Sequence, residues 1–361
     1  MPSSRRKETI LVTGAAGTVG NYVVGLAEAA GFRVLASDRT SAGVRVPTRG
    51  EVRPGDLRSR EVLRDLVKGA DFVIHTAAQM EAQAEAADLA RVNTDVVVQL
   101  YEAAQEAGAQ RFVHMSTAML YQQGTPGPLV EDAPVAPRGP FGLSKHGAEA
   151  FLRGRTEPSS MPWTILRAAP IYGRRGRHFA ASLLAIGPML KLVTPILPRP
   201  AGGPDGTMVH AEDVARALLF VLDTEEAERV VLNVSDGDVM PLGDRITETF
   251  QAYGLKTFPT GKLPHVLLEG AGKLFQAPGA YHGADVTALA AWRMVVLRHG
   301  LKPALRPRMD KEALTLLFDE LVVDSSRLRR LGWAPRFASF VEGWREVLRW
   351  YQAEGWVPRY A

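Results

Sequence analysis

Through the first half of the chain, short runs of Val, Ile, Leu and Phe alternate with segments whose apolar positions recur at helical spacing. The short runs are Thr9–Thr13, Arg33–Ser37, Glu51–Arg53, Phe72–His75, Arg111–Ser116 and Trp163–Arg167. Most are near-continuously apolar, the pattern of strands covered on both faces. Asn21–Ala30, Arg58–Val67, Leu89–Ala107 and Leu143–Arg153 carry the helical period between them. This alternation predicts repeated βαβ units and a doubly wound parallel sheet, an α/β fold.

After about Tyr172 the rhythm changes. Pro and Gly cluster between Pro195 and Gly206, and Arg229–Ser235 again reads as a buried strand. Helical patterns follow over Leu242–Tyr253, Pro264–Phe275, Ala284–Arg298 and Ser339–Ala353. The expected organisation is a first domain over 1–173, with a returning segment near 207–238. A smaller, mainly helical substrate-binding lobe over 174–361 completes it.

Composition narrows the function. The chain has 361 residues, 46% hydrophobic and 23% charged, enough for a large core. Its formal net charge of +4 does not point to nucleic acid. With no cysteine, disulfides, thiolate catalysis and Cys-held metal are excluded. The His, Asp and Glu residues show no metal-ligand spacing, so no metal is expected. Met1–Glu8 is polar and basic with no apolar run behind it, so no leader and a cytoplasmic location are expected. The most apolar stretch, Phe179–Leu197, contains Lys191, Pro188 and Pro195, which argues against a membrane span. One dense basic run, Arg174-Arg175-Gly176-Arg177-His178, reads as a solvated loop or as an anion site.

The strand Thr9–Thr13 runs into Gly14-Ala15-Ala16-Gly17-Thr18-Val19-Gly20 and then a helix. Gly14 permits the tight turn, Gly17 lets backbone approach a pyrophosphate, and Gly20 lets helix and strand pack closely. The helix N-terminus would face the phosphates. Asp38 follows about 24 residues after Gly14 and ends the second strand, where a carboxylate accepts from an adenosine ribose diol. The sheet is therefore read as a Rossmann-type dinucleotide-binding fold. Asp38 favours NAD, and the adjacent Arg39 keeps NADP open.

With these motifs the chain resembles the extended short-chain dehydrogenase/reductase family, which includes NAD-dependent epimerases and dehydratases and hydroxysteroid dehydrogenase-like enzymes. The resemblance covers nearly the whole chain. Gly14, Gly17 and Gly20 match its glycine motif, with Ala16, Thr18 and Val19 in the same turn. Gly55-Asp56-Leu57 matches the segment whose Asp contacts adenine. His75-Thr76-Ala77-Ala78 matches the strand end lining the cofactor. Asn93 and the segment Pro170-Ile171 are implied on the cofactor side, the latter beside the nicotinamide. Val209–Val214 and Val323–Pro335 resemble the family's return segment and tail. That tail and the apolar second lobe look closer to ketone- or steroid-reducing members than to sugar enzymes. The family usually has Gly-Thr where this chain has Val96-Val97.

The resemblance implies a catalytic hydroxyl at Thr117 and a lysine at Lys145, but the tyrosine position is Phe141. In the family that tyrosine exchanges a proton with the substrate oxygen, and the lysine four residues on lowers its pKa and holds the nicotinamide ribose. Phenylalanine has no proton to give, and general acid–base catalysis is worth about 10²–10⁴-fold. Four readings follow. One is an oxidoreductase with a displaced acid or base: water, Thr117, Tyr121, Tyr172, His75 or His146. A second is an engineered Tyr→Phe change. A third is epimerase, dehydratase or other lyase or isomerase chemistry, and a fourth is a dinucleotide-binding sensor without turnover. The main expectation is an NAD(P)-dependent oxidoreductase acting on a carbonyl or secondary alcohol of a small apolar molecule. Its substrate side is expected at Gln79, Met80, Ala118, Met119, Phe141 and Tyr172. A homodimer is implied too, with Val97, Leu100, Tyr101 and Ala104 in its seam.

Overall fold

Seven parallel strands form the centre of the computed structural model, which describes residues 8–47, 49–80, 84–176, 179–262, 270, 278–305, 307 and 319–360. The first part contains β1 (Thr9–Thr13), α1 (Gly20–Ala29), β2 (Arg33–Ser37), β3 (Gly50–Val52), α2 (Arg60–Leu66) and β4 (Phe72–His75). Then come α3 (Ala86–Ala90), α4 (Val96–Glu106), β5 (Arg111–Thr117), α5 (Gly139–Arg153), β6 (Trp163–Ala168) and β7 (Ile171–Tyr172). The C-terminal part contains α6 (Phe179–Leu190), β8 (Leu197–Ala201), β9 (Asp205–Gly206), β10 (Val209–His210), α7 (Ala211–Phe220) and β11 (Val230–Val234). It ends with β12 (Met240–Pro241), α8 (Leu242–Ala252), β13 (Thr257–Lys262), α9 (Pro278–His299), α10 (Ser326–Arg330) and α11 (Phe340–Ala353).

The main sheet runs β3-β2-β1-β4-β5-β6-β11, with every pairing parallel. The order reverses between β1 and β4, which is where open sheets of this kind place a ligand outside the strand ends. Strand β1 shows why its residues are continuously apolar. Ile10 and Val12 join one core, against helices α1 and α7. Leu11 joins the other, which α2, α4 and α5 cover. A third apolar cluster lies in the C-terminal part and contains Leu183, Leu184, Phe250, Trp292, Phe340, Trp344 and Tyr351.

Three expectations change. Leu89–Ala107 is not one α-helix, because a turn of π-helix over Arg91–Asp95 separates α3 from α4. Helix α5 begins at Gly139, four residues earlier than its apolar period, because Pro140 suits a first helical turn and Arg138 is extended. Phe141 is thereby on a helix. The dimer seam is also corrected. Val97, Leu100, Tyr101 and Ala104 are at most 1% exposed and lie in the chain's own core. Helix α4 turns its apolar stripe to the sheet, and Tyr101 donates to the Met161 carbonyl at 2.6 Å.

The helix expected over Pro264–Phe275 lies outside the described residues, except Gly270. Among the described residues no helix is long and apolar enough to cross a membrane.

Candidate active site

The glycine turn is shaped by contacts that only hydrogen satisfies. Gly14 has φ +72°, and a Cβ there would stand 2.7 Å from the Ala77 nitrogen. A Cβ on Gly20 would overlap the Gly14 carbonyl oxygen. Gly17 is exposed and donates its N–H to that carbonyl at 2.9 Å, with Ala16 and Thr18 half-buried beside it and Val19 buried. Helix α1 has no side-chain cap and no acidic residue in its first turn, so its positive end is open to an anion. The Asp38 carboxylate accepts from the Ala16 N–H at 3.0 Å and the Arg39 N–H at 2.8 Å. It is thus fixed beside the turn, and this cradle fits a dinucleotide.

The flanking residues divide. Asp56 is gripped by Arg58, whose Nε lies 3.0 Å from both carboxyl oxygens, and this pairing pulls the carboxyl down to about 2. Leu57 is buried beneath it, and Thr76 donates to the Thr13 carbonyl at 2.7 Å. Ala77 is half-buried and Ala78 exposed. Pro170 and Ile171 are half-buried, with Ile171 paired to Val209. Asn93 is 1% exposed, and both of its amide hydrogens are committed, to the Gln79 carbonyl (2.9 Å) and Ser144 Oγ (3.0 Å). Its oxygen accepts from the Gln79 N–H at 2.8 Å. It pins the loop after β4 to α5 and sits in the π-turn, a device frequent near functional sites.

Thr117 ends β5 half-buried, and its Oγ1 accepts from the Met119 N–H at 3.2 Å. Phe141 is half-buried in the first turn of α5, with Lys145 one turn on. The Lys145 ammonium is buried, donates to the Met115 carbonyl at 2.7 Å and lies 3.2 Å from His114 Nε2. Burial lowers its pKa to about 8, against the opposing pull of Glu149. Behind it His114 stacks on His75 with ring centroids 5.6 Å apart, and His75 Nδ1 lies 2.8 Å from Thr13 Oγ1. Burial and, second, Lys145 push His75 down to about 3 and His114 well below its ordinary value. Both rings are therefore neutral at pH 7.

Sequence reasoning missed His114. Its signal was a polar residue inside an apolar strand at the level of His75, since the register pairs Thr13 with His75 and His75 with His114.

The substitute proton donors fare differently. Tyr121 is buried and donates to Asn233 Oδ1 at 2.7 Å. It also lies under Arg167, which pairs with Glu149 at 2.7 Å in a bridge 1% exposed on each side. Ser116 donates to the same carboxylate at 2.5 Å. Tyr172, expected on the substrate side, is instead fully buried. Its ring meets His210, Phe340 and Trp344 at 5.3, 5.3 and 5.9 Å, because β7 turns it into the third core. Ala118 is also corrected, being 1% exposed under the turn that follows Thr117. Gln79, Met80, Met119 and Phe141 keep exposed surface, and Met80 is the most open at 41%. In the basic run, Arg174 pairs with Glu346 and Arg175 donates to the Gly43 carbonyl at 2.8 Å; Arg177 and His178 lie outside the described residues. Among the described residues no three His, Asp or Glu side chains converge as metal ligands.

Comparison with known proteins agrees with this geometry. Residues 10–235 match the NAD dependent epimerase/dehydratase family. The low-salt glycan biosynthesis protein Agl12 of Haloferax volcanii is 30% identical over 250 residues, 66% of this chain and 77% of that protein. A 4-hydroxy-2-methyl-3-oxo-4-farnesyl-3,4-dihydroquinoline-1-oxide ketoreductase of Stigmatella aurantiaca is 26% identical over 336 residues, 90% and 91% of the two chains. A UDP-glucose 4-epimerase of Thermotoga maritima, solved with UDP-glucose, superposes with a TM-score of 0.70 at 21% identity, covering 96% of this chain and 99% of that one. The chain is an NAD-dependent enzyme and belongs to the NAD dependent epimerase/dehydratase family.

Proposed function

We propose that this enzyme carries out epimerase- or dehydratase-type chemistry, in which the cofactor ends each cycle in the state in which it began. The carrying observation is Phe141 beside a complete dinucleotide cradle, with Thr117 and Lys145 kept. When bound, NAD supplies a hydride acceptor and donor for a carbinol or ketone carbon. Net ketone reduction draws one proton per turnover from solvent, and the phenol that would relay it is an apolar ring here. A closed cycle needs no net proton, only a group to hold one while the substrate is oxidised. Thr117 would hydrogen-bond the substrate oxygen, and Lys145, its pKa lowered to about 8, would in its neutral form take the proton released on oxidation and return it on reduction. Relatives named UDP-glucose 4-epimerase support a nucleotide-sugar as the substrate class.

A second reading is net reduction of an apolar ketone. It is favoured by the exposed apolar surface of Met80, with Met119 and Phe141 partly exposed, and by the ketoreductase that matches nearly the whole chain. The test supplies NAD with UDP-glucose and, separately, NADH with aromatic ketones. Sugar inversion or dehydration without lasting NADH supports the first reading. Stoichiometric NADH loss with a ketone, and no sugar conversion, replaces it with the second.

A further inference from the structure

Arg175 has φ +65°, a left-handed conformation that non-glycine residues adopt uncommonly. It is one of two such non-glycine residues described, the other being Arg229. Such strain persists where surrounding contacts over-determine it, and here they do. The Tyr351 hydroxyl of α11 donates to the carbonyls of Gly173 (3.3 Å) and Gly176, and Arg174 pairs with Glu346 on the same helix.

The anchored loop lies on the glycine turn. A Cβ on Gly173 would stand 3.4 Å from Thr18 Cγ2, and one on Gly176 would stand 4.0 Å from Thr18 Oγ1. From there the Arg175 guanidinium reaches the Gly43 carbonyl at 2.8 Å, and Gly43 packs against Ala16, whose Cβ is 3.8 Å from an added Cβ. The side chain thus links the loop packed on Thr18 to the Gly43 segment packed on Ala16, and these are the two chain neighbours of the exposed Gly17.

We propose that Arg175 is a cofactor-binding residue, whose guanidinium exchanges the Gly43 carbonyl for the dinucleotide's phosphate oxygens when the cofactor occupies the turn. The proposal rests on the dinucleotide reading of the turn and adds a ligand from outside the glycine motif. A phosphate outcompetes a neutral carbonyl for a guanidinium because charge-assisted bonds are roughly twice as strong and the planar fork can bind in two places. The strained backbone directs the side chain toward the Gly43 segment beside the turn.

The test is stopped-flow binding of NADH, and of adenosine as a phosphate-free probe, to the unaltered protein, Arg175→Gln and Arg175→Gly. Glycine accepts a positive φ, so the last variant separates backbone strain from the guanidinium. The expected result is NADH binding weakened about tenfold or more in both variants. The loss should come through faster dissociation, with adenosine binding and melting temperature unchanged. NADH dissociating from Arg175→Gln at the unaltered rate overturns the proposal, as does equal weakening of NADH and adenosine. Tighter NADH binding by Arg175→Gly also overturns it, since the arginine would then only obstruct the groove. Failure of the unaltered protein to bind NADH is a separate result and removes the dinucleotide reading itself.

Discussion

Lys145 Nζ lies 3.2 Å from His114 Nε2, so the lysine implied in catalysis shares its buried site with an imidazole held neutral. The groups facing that imidazole are Lys145 on α5, His75 on β4 and the Met115 carbonyl; Glu149, one turn further on α5, is already bound to Arg167 and Ser116.

This arrangement predicts an acid sensitivity that belongs to His114. Its folded pKa lies well below 6.5, so the unfolded chain binds more protons than the folded one at acid pH. The resulting loss of stability is absent above about pH 6.5 and grows as pH falls. Replacing the ring with Phe removes that contribution. The unfolding free energy of His114→Phe minus that of the unaltered protein should therefore rise by about 1.4 kcal/mol per pH unit below about pH 6. Urea melts across a pH series check this, and parallel curves for the two proteins would falsify it.

Phe141→Tyr restores a phenol one helical turn from Lys145. Net ketone reduction with NADH, the reaction that draws a proton through the missing phenol, should rise about 10²- to 10⁴-fold in kcat, with NADH affinity unchanged. A tyrosine form no faster than the phenylalanine form would mean that another group already does this work.

Glu149→Gln strands the Arg167 guanidinium in a site 1% exposed and should cost about 3–5 kcal/mol. Replacing both partners with Met should cost less than the single change, because no unpaired charge remains. Equal losses in the single and double variants, measured by denaturant unfolding, would show that volume rather than charge dominates there.

Gly20→Ala forces a methyl group into the Gly14 carbonyl oxygen, which is backbone and cannot swing aside. We expect a loss of about 1–3 kcal/mol of stability together with NADH binding, since the turn must open. Asp38→Ala removes the acceptor of the Ala16 N–H but adds no atom to the turn. It should weaken NADH about tenfold while narrowing its advantage over NADPH, as titrations of both would show.

The strand cores and the glycine turn were legible because their patterns are local. Ile10, Leu11 and Val12 must be apolar whichever face they cover, Gly17 and Gly20 answer to the Gly14 carbonyl in the same turn, and Gly14 is called for by its own positive φ before Ala77 approaches it. What stayed illegible depends on tertiary placement. Tyr172 follows directly on Pro170 and Ile171, two residues expected on the cofactor side, yet a two-residue pairing with β10 rotates it into the aromatic core. The apolar stripe of Val97, Leu100, Tyr101 and Ala104 has the same periodicity whether it meets a second chain or its own sheet. His114 was passed over because one histidine in a strand carries no message until the register sets it against His75.

Helix α11 holds the loop over the glycine turn through Tyr351 and Glu346, and both follow that turn by most of the chain. During synthesis the turn therefore emerges from the ribosome long before its cover does. A nascent chain that has made its sheet as far as β6 has the turn but not the helix that anchors the loop over it. With Arg175 holding the phosphates as proposed, retention of the cofactor would be a late event, set by the docking of α11, and damage near the C-terminus would be felt at the opposite end of the sequence.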